Sequence, residues 1–242
     1  RLLQRPVTEI ATIIADARAR LLEVRARRVA PARDEKILTS WNALMIGAFA
    51  EAYKVLGTSA YREAAERAVS FVYTHLHRDG ALLRTWTAGE SKLDAYLDDY
   101  AFLVNALLDL YEGTADLSLV SRAAALGETI LERFEDREHG GFFFTGTGHE
   151  ELIHRPKPVF DGSIPSGNSA AIQGLLRLFH YLGDTRFLTA AERAIRGFGA
   201  GMAKNPFGFA HMIGVADFYL RKPREVVVVG SPDDAATVEI LA

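Results

Sequence analysis

Three aspartates lie where acid or base chemistry could be placed. Asp98 and Asp99 open an apolar helical run, and Asp161 lies in the loop before a later run. Asp98 holds the cap register, where a carboxylate accepts hydrogen bonds from the free amides of the first turn. Asp99 is then free to face a cavity and to act as a general acid or base. Because adjacent carboxylates cannot supply the separation that an acid and base pair needs, we predict Asp99 and Asp161 as catalytic residues.

Further polar residues surround Asp161 in the sequence. Arg155 and Lys157 are two residues apart on an extended segment, so their side chains point to the same side. An arginine fork suits a carboxylate or a phosphate, and also a pair of sugar hydroxyls, although a surface hairpin with ordinary ion pairs explains the pattern equally well. Ser166 opens the next helix, and a helix start favours anionic groups. We predict substrate-binding roles for Arg155, Lys157, Ser166 and Asn168.

Aromatic and amide side chains occur near the same helix starts. Trp41, Trp86 and Tyr100 offer faces for a sugar ring, although packing in the core is the more common role of a tryptophan. Asn42 can donate a hydrogen bond into a cavity, or it can bond locally at its helix start. His211 is the candidate histidine base, although a lone histidine on an apolar helix is usually a core residue. We predict that His211 takes part in catalysis. The residues predicted to bind substrate are Trp41, Trp86, Tyr100 and Asn42.

Composition and motifs disfavour other kinds of site. The 242 residues contain no cysteine, which excludes disulfides and thiolate chemistry within the chain. His75 and His77 have no acidic partner at metal-ligand spacing, and no Gly-x-Ser-x-Gly elbow, Walker loop or Rossmann fingerprint occurs. We therefore predict no metal and no cofactor.

The net charge and the hydropathy limit the partners. The formal net charge of -3 disfavours nucleic acid, and we interpret the arginine-rich stretch 18–33 as a solvated helix face. No apolar run reaches the length of a membrane span. We predict no membrane partner and a cytoplasmic location.

Three repeated helix starts must position these residues. In each repeat an apolar helix runs into a small residue at a fixed offset, and a more polar helix follows. Periodic pairs of this kind form a solenoid or a closed ring of hairpins, and the strongly apolar first helices favour the ring. Because the spacing is the same in each repeat, we expect the helix starts to lie at one end of the fold, where binding residues usually concentrate. The starts are Ser40-Trp41-Asn42, Asp98-Asp99-Tyr100 and Ser166-Gly167-Asn168, and the small residues are Gly57, Ala115 and Gly183.

The segments between the pairs differ from the helices. Residues 79–86 and 140–145 follow turn signals and are predicted to form short strands. The β-branched run 224–230 predicts a buried strand, and residues 231–242 predict the start of a helix. We assign residues 1–222 to a partial toroid domain and residues 223–242 to the start of a truncated C-terminal strand–helix unit.

Three longer runs carry a family resemblance. Residues 33–42 (RDEKILTSWN), 97–101 (LDDYA) and 161–169 (DGSIPSGNS) resemble the helical domain of the thioredoxin-domain-containing family that includes spermatogenesis-associated protein 20 and bacterial relatives of the YyaL type. The resemblance implies a mainly α fold, the (α/α)6 toroid, similar to N-acylglucosamine 2-epimerases and six-hairpin glycosidases. It also implies a thioredoxin-like domain that precedes the toroid. That domain and the first hairpins are missing here, so we expect a partial ring.

Two functions are compatible with these residues. In the first, the toroid binds a small, sugar-like molecule and performs acid and base chemistry on it, by hydrolysis or by epimerisation. No second histidine accompanies His211, which disfavours epimerisation. In the alternative, the chain is a non-catalytic helical module that presents a client or partner to a thioredoxin-like domain.

Overall fold

The computed structural model describes residues 5–150, 152–221, 223, 228–231 and 234–241, and the chain divides into two units, Arg1–Glu35 and Lys36–Ala242. The first unit contains helix α1 (Val7–Ala26), none of whose residues is buried. Its arginines lie in water, as predicted for a solvated helix face. Among the described residues, no helix combines the length and the apolar character that crossing a membrane requires.

The second unit consists mainly of helical pairs. Each of the first three pairs joins an apolar helix to a more polar one, as the repeats predict. The helices are α2 (Thr39–Leu56), α3 (Ser59–His75), α4 (Leu97–Thr114), α5 (Leu117–Arg133), α6 (Gly167–Leu182), α7 (Thr185–Lys204), α8 (Ala210–Arg221), which a short 3-10 turn (Pro206–Phe209) precedes, and α9 (Ala235–Leu241).

A left-handed residue ends the first helix of each pair. Gly57, Ala115 and Gly183 have φ values of 65°, 56° and 71°, and a residue in this conformation closes the last helical turn. A new cap follows at once, since Asp116 and Asp184 accept hydrogen bonds from backbone amides of the next helices at 2.9 Å. The equal offsets seen in the sequence are therefore equal hairpin turns.

The apolar helices form an inner row and the polar helices an outer row. Helix α4 packs between α2 and α6, and α8 follows α6, whereas α3, α5 and α7 each cover their own partner from outside. Helix α4 buries residues around its whole circumference. The core lies between the two rows, and the inner-helix starts share one end of the row.

A small antiparallel sheet joins the first two pairs. Its strands are β1 (Ile37–Leu38), β2 (His77–Arg78), β3 (Ala81–Thr87) and β4 (Glu90–Asp94). Strand β3 pairs with the other three, with Trp86 opposite both Ile37 and Ser91. The predicted strand at 79–86 is confirmed as β3.

The strand predicted at 140–145 is wrong. Within it only Phe142 forms a bridge, to Glu135, and Gly140 and Gly141 have φ values of 76° and 79°. The backbone amides there bond to scattered partners: Phe143 donates to Phe134 O and Phe144 to Pro156 O, both at 2.8 Å. Among the described residues no single strand pairs along this segment, which is therefore an irregular loop.

The C-terminal predictions are met only in part. Of the predicted strand 224–230, residues 224–227 lie outside the described residues, and residues 228–230 are not in a strand. The predicted helix is present as α9, which begins at Ala235. The predicted domain division after residue 222 stays a prediction.

Candidate functional site

Asp99 is fully buried and holds the start of α4 in place. Its Oδ1 accepts a hydrogen bond from the backbone amide of Ser40 at 2.9 Å. Its Oδ2 accepts one from the backbone amide of Tyr96 at 2.9 Å and one from Arg84 Nη1 at 3.0 Å. Burial raises the pKa of Asp99, and Arg84 and the two amides oppose that rise. The side chain is 0% exposed, so a ligand cannot reach it from solvent.

Asp99 therefore makes the helix-start bonds that were predicted for Asp98, and it does not face the cavity beside it. Tyr96 caps α4, which places Asp99 at the third helical position, where an acidic side chain reaches back to the cap amide. Asp98 has no capping bond to make, and its Oδ1 is buried with no hydrogen-bond partner among the described residues. Burial and the charge of Asp99 raise the pKa of Asp98 to about 6.

Asp98 lines a cavity of about 260 Å³ between the starts of α4 and α6. Apolar side chains make most of the wall, and two serines add hydroxyl groups. Asp98 is the one titratable side chain among the described residues of this lining. The lining residues are Leu97, Asp98, Phe144, Pro158, Phe160, Gly162, Ser163, Ile164, Pro165, Ser166 and Gly167.

Gly167 lines the cavity where the starts of α4 and α6 approach each other closely. A Cβ atom at this position would lie 3.2 Å from Leu97 Cδ2 and 3.3 Å from the backbone nitrogen of Asp98. The two helix starts therefore approach each other across a glycine. Phe160 forms the rim, since its side chain is 64% exposed.

Asp161 connects three backbone segments and lies outside the lining of this cavity. Its Oδ1 accepts hydrogen bonds from the amide of Ser166 at 2.9 Å and from Ser169 Oγ at 2.6 Å. Its Oδ2 accepts one from the amide of Met212 at 3.0 Å. Burial raises the pKa of Asp161, but these donors outweigh it, so the pKa is lowered overall. The carboxylate fixes the starts of α6 and α8.

Ser166 and Asn168 organise the same helix start. Ser166 lines the cavity and caps α6, because its Oγ accepts the amide of Ser169 at 3.1 Å. Asn168 is fully buried; its Oδ1 accepts the amide of Phe142 at 2.7 Å, and its Nδ2 donates to the carbonyls of Phe142 and Pro158 at 2.9 and 2.8 Å. Asn168 thus fixes the loop that carries Phe144 into the cavity wall.

Arg155 and Lys157 share one side of their segment, as predicted, but they support a loop. The Arg155 guanidinium lies 4.2 Å from the centre of the Phe143 ring, and Lys157 Nζ lies 5.3 Å from it. Arg155 also donates to the carbonyl of Thr145, and Lys157 donates to Asp136 Oδ2 at 2.6 Å. Neither residue is part of the cavity lining.

The predicted aromatic platform is not assembled at this cavity. Tyr100 is 2% exposed, and its hydroxyl accepts the amide of Leu82 at 2.9 Å. Trp86 packs edge-on against Phe71, with ring centres 5.3 Å apart. Trp41 is 65% exposed on α2. Asn42 makes the local bond, from its Nδ2 to the carbonyl of Leu38 at 2.9 Å.

His211 lines a separate cavity of about 260 Å³ between α6 and α8. Its Nε2 lies 2.9 Å from Gln173 Oε1. Burial lowers the pKa of His211 and outweighs the opposing effect of Asp161. Arg177 also lines this cavity, but it is paired with Asp109 at 2.8 Å and with Glu112 at 2.7 Å. His211 is therefore neutral near pH 7 and is not brought to Asp98.

An acidic cluster on the inner helices was not foreseen from the sequence. The carboxylates of Glu51, Asp109 and Glu112 have oxygens within 4.8 Å of one another. Lys54 pairs with Glu112 at 2.8 Å, and Arg177 pairs with Asp109 and Glu112. These two cations offset most of the charge of the three carboxylates, and we interpret the cluster as an ion-pair network between helices.

Of the residues that line the cavity, only Ser166 was predicted as a site residue; the missed ones include Asp98, Phe144, Phe160 and Ser163. The sequence carries no clear signal for Asp98, because Tyr96 is not one of the residue types that usually cap a helix. The two phenylalanines carry no local signal, since they come from different loops.

The sequence matches no protein-family model, but it resembles known proteins. Human spermatogenesis-associated protein 20 is 28% identical over 238 residues, which is 93% of this chain and 30% of that protein. An uncharacterized protein of Caenorhabditis elegans is 28% identical over 234 residues, 93% of this chain and 32% of that protein. The predicted resemblance is confirmed at this level, and the chain spans about a third of the length of these relatives.

Solved structures share the fold. Cellobiose 2-epimerase from Spirochaeta thermophila matches 70% of this chain and 44% of its own, with a TM-score of 0.57 and 20% identity. The GH76 α-mannanase from Bacteroides thetaiotaomicron matches 80% of this chain and 55% of its own, with a TM-score of 0.62 and 14% identity. An inactive double aspartate-to-asparagine variant of the α-1,6-mannanase from a Salegentibacter species matches 66% of this chain and 46% of its own. Its TM-score is 0.55 and its sequence identity is 15%. The predicted (α/α) toroid architecture is confirmed by these matches.

Proposed function

We propose that the cavity beside Asp98 binds a sugar-like ligand and that Asp98 is its general acid. One observation carries the proposal: Asp98 lines the cavity, and one of its carboxyl oxygens, Oδ1, is buried with no hydrogen-bond partner among the described residues. A buried polar atom of this kind is rare without a ligand or water to satisfy it.

The raised pKa suits Asp98 to proton donation. With a pKa of about 6, the carboxyl group keeps its proton in weakly acidic solution and a fraction of it at neutral pH. A carboxylic acid in such a state protonates the leaving oxygen of a glycosidic bond. Burial that keeps a carboxyl group protonated for acid catalysis is known from other active sites.

The shape of the cavity suits one sugar unit. Its volume of about 260 Å³ lies just below the range of about 300–1,000 Å³ that is usual for small-molecule pockets. Phe144 and Phe160 offer apolar faces, and Ser163 and Ser166 offer hydroxyl groups. Such a mixture binds a molecule with both apolar and hydroxyl surfaces.

The structural neighbours support a ligand of this class. They include a cellobiose 2-epimerase and an α-mannanase. In the Salegentibacter α-1,6-mannanase the inactive variant replaces two consecutive aspartates, and Asp98 and Asp99 are consecutive here. We favour hydrolysis over epimerisation, because His211, the candidate second base, lines a different cavity.

A second candidate function follows from the same lining. Asp98 is its one carboxyl group among the described residues, whereas hydrolysis uses two. This favours the alternative of a non-catalytic module that presents a client to a thioredoxin-like domain. The cavity would then bind part of that client.

The test is binding and turnover of cellobiose and α-1,6-mannotriose. We expect the wild type to bind at least one of them in calorimetry and to turn it over. Asp98→Asn should keep the binding and lose at least a hundredfold in rate. Asp94→Asn, an exposed aspartate in β4, is the matched control. Turnover by Asp98→Asn at the wild-type rate would contradict the acid role, and binding without turnover in the wild type would favour the non-catalytic module.

A further inference from the structure

We propose that the ion pair between Arg84 and Asp99 is a positioning device for Asp98, which aims its carboxyl group into the cavity and builds one cavity wall. This inference rests on the proposed function of Asp98. Neither Arg84 nor Asp99 is part of the cavity lining, so both would act through their neighbours.

The pair joins three parts of the fold at one carboxylate. Arg84 lies on β3, and its Nη1 is 3.0 Å from Asp99 Oδ2. The remaining bonds of Asp99 come from the amides of Ser40 at the start of α2 and of Tyr96 before α4. The first turn of α4 is thereby fixed in rotation. Asp98 belongs to that turn, so the direction of its side chain is fixed as well.

Arg84 also supports an aromatic stack that ends at the cavity. Its guanidinium lies 4.7 Å from the centre of the Tyr96 ring. The Tyr96 ring stacks on Phe144 with centres 4.6 Å apart and planes 19° apart, and Phe144 lines the cavity. Arg84 on β3 therefore supports the Phe144 wall of the cavity through two successive ring contacts.

Stability alone does not explain the pair. The Asp99 side chain is 0% exposed and that of Arg84 is 24% exposed. A buried ion pair often contributes no more to stability than apolar residues of the same volume would. An ionised carboxylate directly beside Asp98 does have an electrostatic effect on it, because like charges disfavour each other.

Among the described residues, two charged groups act on the pKa of Asp98. Asp99 on the same helix raises the pKa of Asp98, and Arg84 on β3 lowers it. The α6 side and the loop 158–167 contribute serine hydroxyls and apolar groups to the lining. Removing one partner of the pair should therefore shift the proton affinity of Asp98 in a direction set by the partner removed.

The experiment follows the Asp98 carboxyl carbon by NMR in the full chain, with its signal assigned from its loss in Asp98→Asn. We expect Asp99→Asn to move the titration midpoint to lower pH by about one unit, a tenfold change in proton affinity. Arg84→Met should move it to higher pH. Arg84→Lys keeps the charge but loses the planar contact with Tyr96, so it should hold the wild-type midpoint while weakening sugar binding severalfold.

The outcomes separate the two proposals. Opposite shifts of the Asp98 titration midpoint in Asp99→Asn and Arg84→Met would support the positioning role. If the wild type at the same time turns over no sugar, the acid role is refuted. Midpoints unchanged in both variants would overturn the positioning role even if turnover depends on Asp98. If Asp99→Asn does not fold, the Arg84→Met and Arg84→Lys pair decides, since equal midpoints in those two variants would also overturn it.

Discussion

The Oδ2 atom of Asp161 lies 3.0 Å from the backbone nitrogen of Met212, so one carboxylate in the loop before α6 holds the first turn of α8. The same carboxylate accepts the amide of Ser166 and the hydroxyl of Ser169. Two neighbouring inner helices thus share one acceptor. The contact makes Asp161 a structural clamp at the end of the fold where the cavity lies.

Asp161→Ala should therefore lower stability. Three donors lose an ionised acceptor, and we expect a loss of about 3 kcal/mol at pH 7. The pKa of Asp161 is lowered in the folded state, so its contribution is present above the ordinary carboxyl pKa and disappears as pH falls through the folded value. Urea unfolding at pH 7 and pH 3 measures this, with Asp94→Ala as control. An equal loss at both pH values would contradict the electrostatic part.

Asp98→Asn should have the opposite effect on stability. The pKa of Asp98 rises from 3.8 to about 6 on folding, so the charged form opposes folding above pH 6 and this effect disappears below about pH 4. We expect the variant to gain about 2 kcal/mol at pH 7.5 and nothing at pH 4. Thermal unfolding at the two pH values measures the difference. A loss of stability at pH 7.5 would mean that Asp98 is a structural residue.

Gly167→Ala should narrow the cavity without unfolding the protein. The added methyl group would meet Leu97 and the backbone of Asp98 at 3.2 and 3.3 Å. We expect sugar affinity to fall about tenfold, since an extra methyl group in a close-packed site displaces its neighbours. Gly199→Ala adds the same group on α7, outside the cavity lining and with nothing within 4 Å, and should bind normally. Equal affinities in the two variants would show that the ligand does not enter this cavity.

Ala115→Gly should stabilise the second hairpin turn. Ala115 has a φ of 56°, a conformation that is unfavourable for a residue with a Cβ atom by about 1 kcal/mol. Gly57 occupies the equivalent turn with a φ of 65° and has open space around its missing Cβ. We expect Ala115→Gly to raise the unfolding free energy by a few tenths of a kcal/mol, because the more flexible unfolded chain offsets part of the gain. Gly57→Ala should lower it by about 1 kcal/mol, and the same sign in both variants would contradict this explanation.

The helical pairs were predictable because their signals are local. Apolar spacing marks each inner helix, and the equal offsets of Gly57, Ala115 and Gly183 mark turns that the structure contains. The loop at 140–145 was not predictable, since its conformation depends on Asn168, more than twenty residues later. Local propensity carries no information about such a partner.

The site was harder to predict because a helix boundary is uncertain by a residue or two. The sequence suggests a helix cap at Asp98, whereas the structure has it at Tyr96. This shift changes which of Asp98 and Asp99 faces the cavity, because the side chains of neighbouring helical residues point about 100° apart. The cavity wall combines Phe144 and Phe160 from separate loops. Only the packed fold brings those loops together.

The two tryptophans of the chain differ in their surroundings, which gives the protein two distinguishable fluorophores. Trp41 is 65% exposed, so a quencher confined to water, such as iodide, reaches it readily. Trp86 lies against Phe71 and His75 in the sheet region, where its emission should be bluer and better protected. Rearrangement at the start of α2 can thus be followed separately from opening of the β3 hairpin, in the unlabelled protein and in real time.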